Sequence, residues 1–531
     1  MNLPLLDTYW QYVEYWGEKK PDFPSMRDDK RIVTAREFQE KTDRLAKAFM
    51  KLGVVKGDRV ATILPQGIDY ILVMVAANKA GAILVPLDVK FRIAEIKRFL
   101  THTAPKILVA LPRNEEFDFA KALASFEAEC DDMQLVWTGG DTECDTSLDG
   151  LTALPLDLDE KLKERKKAQD KEDGALIIFT GGTTGVPKAA LLSNRNATHM
   201  SYYEIKHIFY ANGLTGQIKM PVFLPPSHIG GTVEVIGMGI VGGYEMIMME
   251  NWSPSGYLEL LQKERVQWAA GVPTMFAIML SLPDLNQYDL TSLRLSFMSG
   301  EKVSLELLEG VRARFSDIVI SGYGATEVGA ETNLTSKDDA LSEIAKGYVG
   351  RAIENVQIKI IDDEEISLPE GEIGEIAIKG PFAIKSYFGM PEENKSGFTS
   401  DGWVKTGDLG YLTENGKLYI CGRKKHIIRV GSYTVLPSEI EEVVITLPEV
   451  GLAAAIGVPD KLYGEEIWLF IVPEAGWTID ENRISEHCRN KLAKFKVPKK
   501  VFIRNDIPLT RIGKADRIAL REQILNSLKG G

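Results

Sequence analysis

The chain has 531 residues, 44% hydrophobic and 26% charged, with a formal net charge of −12. That length corresponds to roughly three to four domain equivalents, ample for large cores without staples, and the ordinary globular composition excludes global disorder and fibrous architecture. The acidic balance argues against broad nucleic-acid binding but leaves room for a local basic site for a small phosphorylated ligand.

The opening stretch, MNLPLLDTYWQYVEYWGEKK, has acids early and no basic start ahead of an apolar run, so it does not read as a secretory signal. Phe38, Leu45, Ala46, Phe49 and Leu52 share one helical face over residues 34–53, and Thr34 with Glu37 predicts a capping box. A strand-like run over Arg59–Leu64, a helical stretch to Ala80 and an apolar strand over Ala82–Pro86 follow. This alternation predicts α/β construction with parallel strands. Cys130, Cys144, Cys421 and Cys488 lie far apart with no CxxC pair, so no disulfide framework or zinc ribbon is indicated and a reducing compartment is the simpler reading. His487-Cys488 reads as ordinary structure.

Residues 157–173 alternate acids and bases and read as a solvated helix or connector. Ala175–Phe179 then reads as a buried strand. The most apolar region, Met220–Met249, is interrupted by Pro225, Pro226, His228, Glu234 and several glycines. A spanning helix needs about 20 mainly apolar residues, so this is buried protein and no integral membrane segment is expected. Short alternating strands around a turn at Asp362–Glu365 predict an antiparallel, barrel-like subdomain over Gln357–Lys379. Beyond about residue 425, a helix near Ser438–Thr446, strands near Ala453–Ile456 and Glu466–Val472, and terminal helices are expected.

The strongest motif follows the strand ending at Phe179. It runs Thr180, Gly181, Gly182, Thr183, Thr184, Gly185, Val186, Pro187, Lys188. Its glycines let backbone N–H groups turn inward around anionic oxygens, its threonines add hydroxyl donors, and its lysine adds a positive charge. This suits a polyphosphate, but the Gly-Lys-Ser/Thr of a Walker A loop is absent. A mobile turn would explain the glycines but not the threonines and the lysine.

Five further segments carry chemistry. Leu224–Gly231 holds His228 in an apolar setting. Ser299, Gly300, Glu301 and Lys302 form a polar loop. Tyr323, Gly324, Ala325, Thr326 and Glu327 combine an aromatic ring, a hydroxyl and a hard oxygen ligand, and Mg²⁺ favours one or two carboxylates plus substrate phosphates. Trp403–Asp408 ends in a carboxylate able to accept two ribose hydroxyls, and Ile420–Lys425 follows it. Pro508–Lys514 sets a lysine among Pro, Thr and Gly.

TGGTTGVPK resembles the phosphate loop of the adenylate-forming superfamily, which includes acyl-CoA synthetases, luciferases and peptide-synthetase adenylation domains. The other five motifs follow in that family's order, over roughly residues 30 to 520. The resemblance implies a large N-terminal domain over 1–424, built of two α/β subdomains and a small β-barrel. A small mobile α/β lid over 425–531 would follow it, with Lys425 at the hinge. It implies His228 as a carboxylate-binding gate and a loop at Ser299, Gly300 and Glu301 flanking adenine. Tyr323 would stack on the base, Thr326 would bond a phosphate, and Glu327 would hold Mg²⁺. Asp408 would bind the ribose, assisted by Arg423, with Ile420 near the base. Gly431 and Ser432 would lie beside the pantetheine arm, and Lys514 would bridge the carboxylate and the α-phosphate. His426 stands where the family usually has an acid.

The implied activity is an acid–thiol ligase using ATP, Mg²⁺ and coenzyme A, related to fatty acyl-CoA synthetases. The double glycine of TGGTTG resembles that of medium- and long-chain fatty acyl-CoA synthetases, which implies a medium-chain acid, and the pocket wall, His228–Val235, Val272–Ala277 and the loop from Ser299, is largely apolar, which favours a hydrophobic or alicyclic one. Glu234 and Lys302 are polar exceptions that leave a functionalised or dicarboxylic acid open. The alternatives are an enzyme loading a carrier-protein thiol, or a catalytically silent nucleotide-binding protein. No basic amphipathic helix or lipidation motif supports a peripheral membrane role. A cytoplasmic location is expected, and family precedent allows a homodimer.

Overall fold

A computed structural model gives the fold and describes residues 3–127, 132–139, 147–180, 187–431, 433–460, 462–474, 476–509 and 515–529. The predicted capping box starts the helix Ala35–Lys51: Thr34 N–H donates to Glu37 Oε2 at 2.8 Å and Glu37 N–H donates to Thr34 Oγ1 at 3.3 Å. The N-terminal stretch, for which the sequence predicts no element, forms the helix Tyr9–Lys19 behind a second box of Thr8 and Gln11. The alternating-charge segment is the helix Asp159–Lys167, which buries Leu162.

The chain forms two compact units. One holds residues 1–359, 377–406 and 415–418; the other holds 360–376, 407–414 and 419–531. In the first unit, six strands form a sheet in the order Gln134–Trp137, Ile107–Ala110, Arg59–Ile63, Ile83–Leu87, Gly174–Thr180, Lys188–Ser193. The first five run parallel, as the helix–strand alternation predicts, and the last returns antiparallel. Parallel sheets are covered on both faces, and Ile83–Leu87 and Ile107–Ala110 are buried at every position.

A second sheet sets Trp268–Gly271, Leu295–Ser299 and Ile318–Ala325 in parallel, then adds Gly329–Leu334 and Arg351–Ala352 antiparallel. A third has the order Ile32–Thr34, Pro24–Arg27, Glu245–Met248, Lys219–Val222. The apolar region breaks into the strand Lys219–Val222, a π-helical turn Gly230–Gly237, the short helix Met238–Gly242 and the strand Glu245–Met248. Among the described residues, no helix is long and apolar enough to cross a membrane.

The strands Gln357–Ile361, Gly374–Lys379, Val404–Leu412 and Leu418–Arg423 form a four-stranded sheet in chain order. At the predicted turn Asp362 Oδ1 accepts the N–H groups of Glu364 and Ile366. In the second unit, Val450–Asp460 pairs antiparallel with Gly464–Pro473, which also pairs parallel with Lys500–Ile503. The period-two alternation of a strand builds two cores from this sheet. Ala453, Ala455, Ile467, Leu469 and Ile471 pack with Ile440, Val444 and Cys488. Ala454, Ile456, Val458, Trp468 and Phe470 pack with Leu520 and Ile524. Cys488 is thus a core residue, and Cys130 and Cys144 lie outside the described residues.

Candidate active site

Three motifs sit at the carboxyl ends of parallel strands. Thr180 ends Gly174–Thr180, Ser299 ends Leu295–Ser299, and Tyr323, Gly324 and Ala325 end Ile318–Ala325. Open α/β sheets bind ligands in the crevice outside these ends. Thr180 Oγ1 donates to Glu327 Oε1 at 2.9 Å, joining the start of the glycine-rich loop to an acid 147 residues away. The Tyr387 hydroxyl donates to the same oxygen at 3.3 Å. Tyr387 is buried, and that burial, with the nearby Glu327 charge, raises its phenol pKa and keeps it a donor. Lys188 Nζ lies 5.0 Å from the Tyr387 ring centroid, a cation–π contact. Thr180 and Lys188, the two ends of the motif, therefore converge near Glu327. Gly181, Gly182, Thr183, Thr184 and Gly185 lie outside the described residues. Thr326 is buried beside Glu327.

Among the described residues, no group of three or more His, Cys, Asp or Glu is arranged to hold a metal. A single carboxylate at Glu327 fits a hard cation that takes its other ligands from phosphate and water, as Mg²⁺ does.

His228 precedes the π-helical turn. It is exposed, with protein packed round one side of its ring. Burial lowers its pKa, so the imidazole is neutral at pH 7. Its Nδ1 accepts the Gly230 N–H at 3.1 Å, which places the ring proton on Nε2. That leaves Nε2 as a donor suited to a carboxylate oxygen.

Gly300 has φ +86°, a left-handed conformation glycine adopts without strain. A Cβ there would sit 3.8 Å from Val272 Cγ1, so two predicted wall segments meet at this turn. Thr274 Oγ1 donates to Glu301 Oε2 at 3.3 Å. Lys302 is exposed.

In the second unit, Asp408 is only 3% exposed, and Arg423 Nε donates to its Oδ1 at 2.6 Å. The two residues expected at the ribose are thus an ion pair. Ile420 is half-buried. Lys425 lies in the turn Lys424–His426. Burial, then Arg517, Lys425 and Arg423, push the His426 pKa down to about 4, so this position carries no charge at neutral pH. Gly431 has φ +62° and donates its N–H to Tyr463 O at 2.7 Å. Ser432 and Lys514 lie outside the described residues.

Sequence reasoning missed Tyr387, whose link to Glu327 spans 60 residues and belongs to none of the six motifs. It also missed Glu204 and Glu331, two buried acids near the predicted pocket wall. Each sits among polar neighbours, in the helix Asn194–Glu204 and the strand Gly329–Leu334, so its burial is a signal only once the fold covers that element.

The sequence model of the AMP-binding enzymes matches residues 13–388, and that of their C-terminal domain matches residues 439–514. The chain belongs to the AMP-binding enzymes of the adenylate-forming superfamily. This AMP-binding enzyme is 30% identical to YdaB of Bacillus subtilis (strain 168), which carries an acyl–CoA ligase name, over 98% of this chain and 100% of that one. It is 29% identical to the long-chain-fatty-acid–CoA ligase FadD13 of Mycobacterium tuberculosis, over 92% and 93% of the two chains. Among solved structures, ATP-bound MatB from Rhodopseudomonas palustris matches with a TM-score of 0.82 at 26% identity, covering 97% of this chain and 99% of that one. The o-succinylbenzoate CoA synthetase MenE of Bacillus subtilis, in complex with ATP and magnesium ion, matches with a TM-score of 0.80 at 25% identity, covering 96% and 98%. The AMP-binding enzyme is accordingly an adenylating enzyme of the acyl-CoA ligase type.

Proposed function

We propose that the enzyme joins a carboxylic acid to coenzyme A through an acyl-adenylate, releasing pyrophosphate and AMP. The observation that carries this reading is the Thr180–Glu327 hydrogen bond, which ties the phosphate-loop motif to the proposed metal-binding acid. A carboxylate is a poor acyl donor because its leaving group would be oxide. Its oxygen attacks the α-phosphorus of ATP, the bond to pyrophosphate breaks, and the acyl carbon gains AMP as leaving group. The sulfur of coenzyme A then attacks that carbon, loses its proton, and AMP departs.

Both partners of the first step are anionic. Two unit charges about 4 Å apart interact by about 4 kcal/mol at an effective dielectric near 20. Lys188, Lys514 and the backbone N–H groups of Gly181–Gly185 offset that repulsion, and Thr180, Thr183, Thr184 and Thr326 add hydroxyl donors. Mg²⁺ held at Glu327 would supply further positive charge against the phosphates. The Tyr387 hydroxyl fixes the Glu327 carboxylate. His228 Nε2–H holds the acid's oxygen, Tyr323 stacks on adenine, which the Ser299–Glu301 loop flanks, and Asp408 takes the ribose. Catalysis is then mainly positioning and charge stabilisation, with no side-chain nucleophile.

For the second step, Lys425 serves as the pivot that withdraws Lys514 and brings Gly431 and Ser432 to the pantetheine arm. The largely apolar wall supports a mainly hydrophobic acid, medium-chain or alicyclic. The relatives' names span chain lengths: FadD13 is a long-chain ligase, and the rat ACSF2, 28% identical over 93% of this chain, is a medium-chain one. Widely spaced cysteines support a reducing, cytoplasmic setting.

The test is conversion of ATP to AMP with coenzyme A across short-, medium- and long-chain, alicyclic, aromatic and dicarboxylic acids. Thioester formation with one class establishes the ligase. Pyrophosphate release without thioester would move the acceptor to a carrier-protein thiol, and silence with ATP still bound would leave only nucleotide binding.

A further inference from the structure

Three carboxyl groups that the adenylation chemistry does not use gather behind His228. Glu204 ends the helix Asn194–Glu204, Glu234 lies in the π-helical turn Gly230–Gly237, and Glu331 lies in the strand Gly329–Leu334. These elements pack on one another. Glu204 and Glu331 are 0% and 1% exposed; neither carboxyl oxygen of Glu204 has a hydrogen-bond partner, while the Glu331 carboxyl lies against the Glu234 carboxyl and the Ser299 hydroxyl. Asn333 lies two residues beyond Glu331 on the same face of the strand. It is fully buried, and both polar atoms of its amide are equally unpartnered. Glu234 is the most accessible of the three, only partly buried, so a ligand would meet it first.

The three acids adjoin the proposed acyl site. A Cβ added at Gly230 would lie 3.0 Å from Glu234 Oε2 and 3.2 Å from His228 Nδ1. One added at Gly322, the residue before Tyr323, would lie 2.0 Å from Glu331 Oε2. Ser299 stands opposite Gly322 in the parallel pair and faces Glu331. The acids are thus bounded by His228, by Ser299 and by the strand that leads into Tyr323.

An unpaired buried polar group costs about 1–3 kcal/mol, and here several share one place. They are not arranged as a metal site. We infer that Glu234, backed by Glu331 and Glu204, receives a protonated amine on the chain of the acid substrate, so that the enzyme activates an amine-bearing carboxylic acid. This rests on the acyl-site reading above and narrows it. An ammonium brings three donors and the positive charge that the trio lacks. An alkyl chain would offer Glu234 and Glu204 no donor, and a second carboxylate would add a like charge. Burial raises all three carboxyl pKa values, Glu234 to about 7, so a cation draws Glu234 into its charged form at little cost near neutral pH.

The test uses the full chain and acids matched in length that carry a terminal methyl, hydroxyl, amine or carboxylate. ATP–pyrophosphate exchange gives KM and kcat, and calorimetry with a non-hydrolysable ATP analogue gives binding without turnover. The amine should bind at least about tenfold more tightly than the methyl acid, the effect falling on KM. Glu234→Leu should reverse that order, and the isosteric Glu234→Gln should abolish it while keeping the fold. Equal affinity for amine and methyl acids, unmoved by either substitution, overturns the inference and leaves the ligase reading intact. Amine-selective binding lost in Glu234→Leu without pyrophosphate exchange for any acid upholds the inference and overturns the ligase reading.

Discussion

Glu327 Oε1 accepts from both Thr180 and Tyr387, so one oxygen is fixed and the carboxylate cannot rotate freely. Replacing Tyr387 with Phe removes one of these donors without touching the phosphate loop. Tyr387→Phe should lower ATP–pyrophosphate exchange severalfold, and Glu327→Ala should lower it about 10²-fold, the scale of losing one preorganised electrostatic group. Lys514→Ala should likewise lose adenylation about 10²-fold or more while still converting a supplied acyl-adenylate to the thioester. Equal loss of both half-reactions would reject the proposed division of labour. The buried acids make a pH prediction. Unfolded, they ionise near the ordinary value of 4.5; folded, Glu234 ionises near about 7, with Glu204 and Glu331 also raised. The folded state therefore holds more protons than the unfolded state from about pH 4.5 upward, and stability falls as pH rises through 7. A tenfold difference in proton affinity between the two states corresponds to about 1.4 kcal/mol. Calorimetry between pH 5.5 and 8 should show a falling Tm, with a shallower fall in Glu331→Gln.

Elements were legible where their signals are local. The Thr34–Glu37 box and the strands at 59–64, 82–86 and 175–179 depend on neighbours within a few residues, and the structure places each within two residues of its expected bounds. Thr34→Ala should cost about 0.5–2 kcal/mol by leaving the Glu37 N–H unpaired, measurable as a shifted urea midpoint with unchanged slope. The π-helical turn Gly230–Gly237 was not legible, because its i→i+5 bonding leaves no hydrophobic period of its own. Nor was the role of Tyr387, whose partner is 60 residues away and reached only through the fold. In the second unit, alternation along Val450–Asp460 and Gly464–Pro473 supplies two cores from one sheet. Phe470→Ala should therefore cost about 3–5 kcal/mol, as for a large buried aromatic elsewhere.

At the scale of the whole chain, six motifs in order carried the superfamily, since each holds a chemical demand that survives wide drift elsewhere. They could not carry the acid, because its pocket is assembled from single residues on separate elements. The proposed pivot makes a prediction at this scale. Proline at residue 425 fixes φ near −65° and removes an N–H, so Lys425→Pro should hold ATP–pyrophosphate exchange within a few-fold while thioester formation falls at least about tenfold. Equal changes in both would reject Lys425 as the pivot.

The close approach of Glu331 to Gly322 also bears on how this chain can change. A methyl group at 322 would land on the carboxylate, so Gly322→Ala is tolerated only with a smaller residue at 331. The two positions form a latch between substrate choice and backbone: neither drift nor design can widen one without first giving up the other.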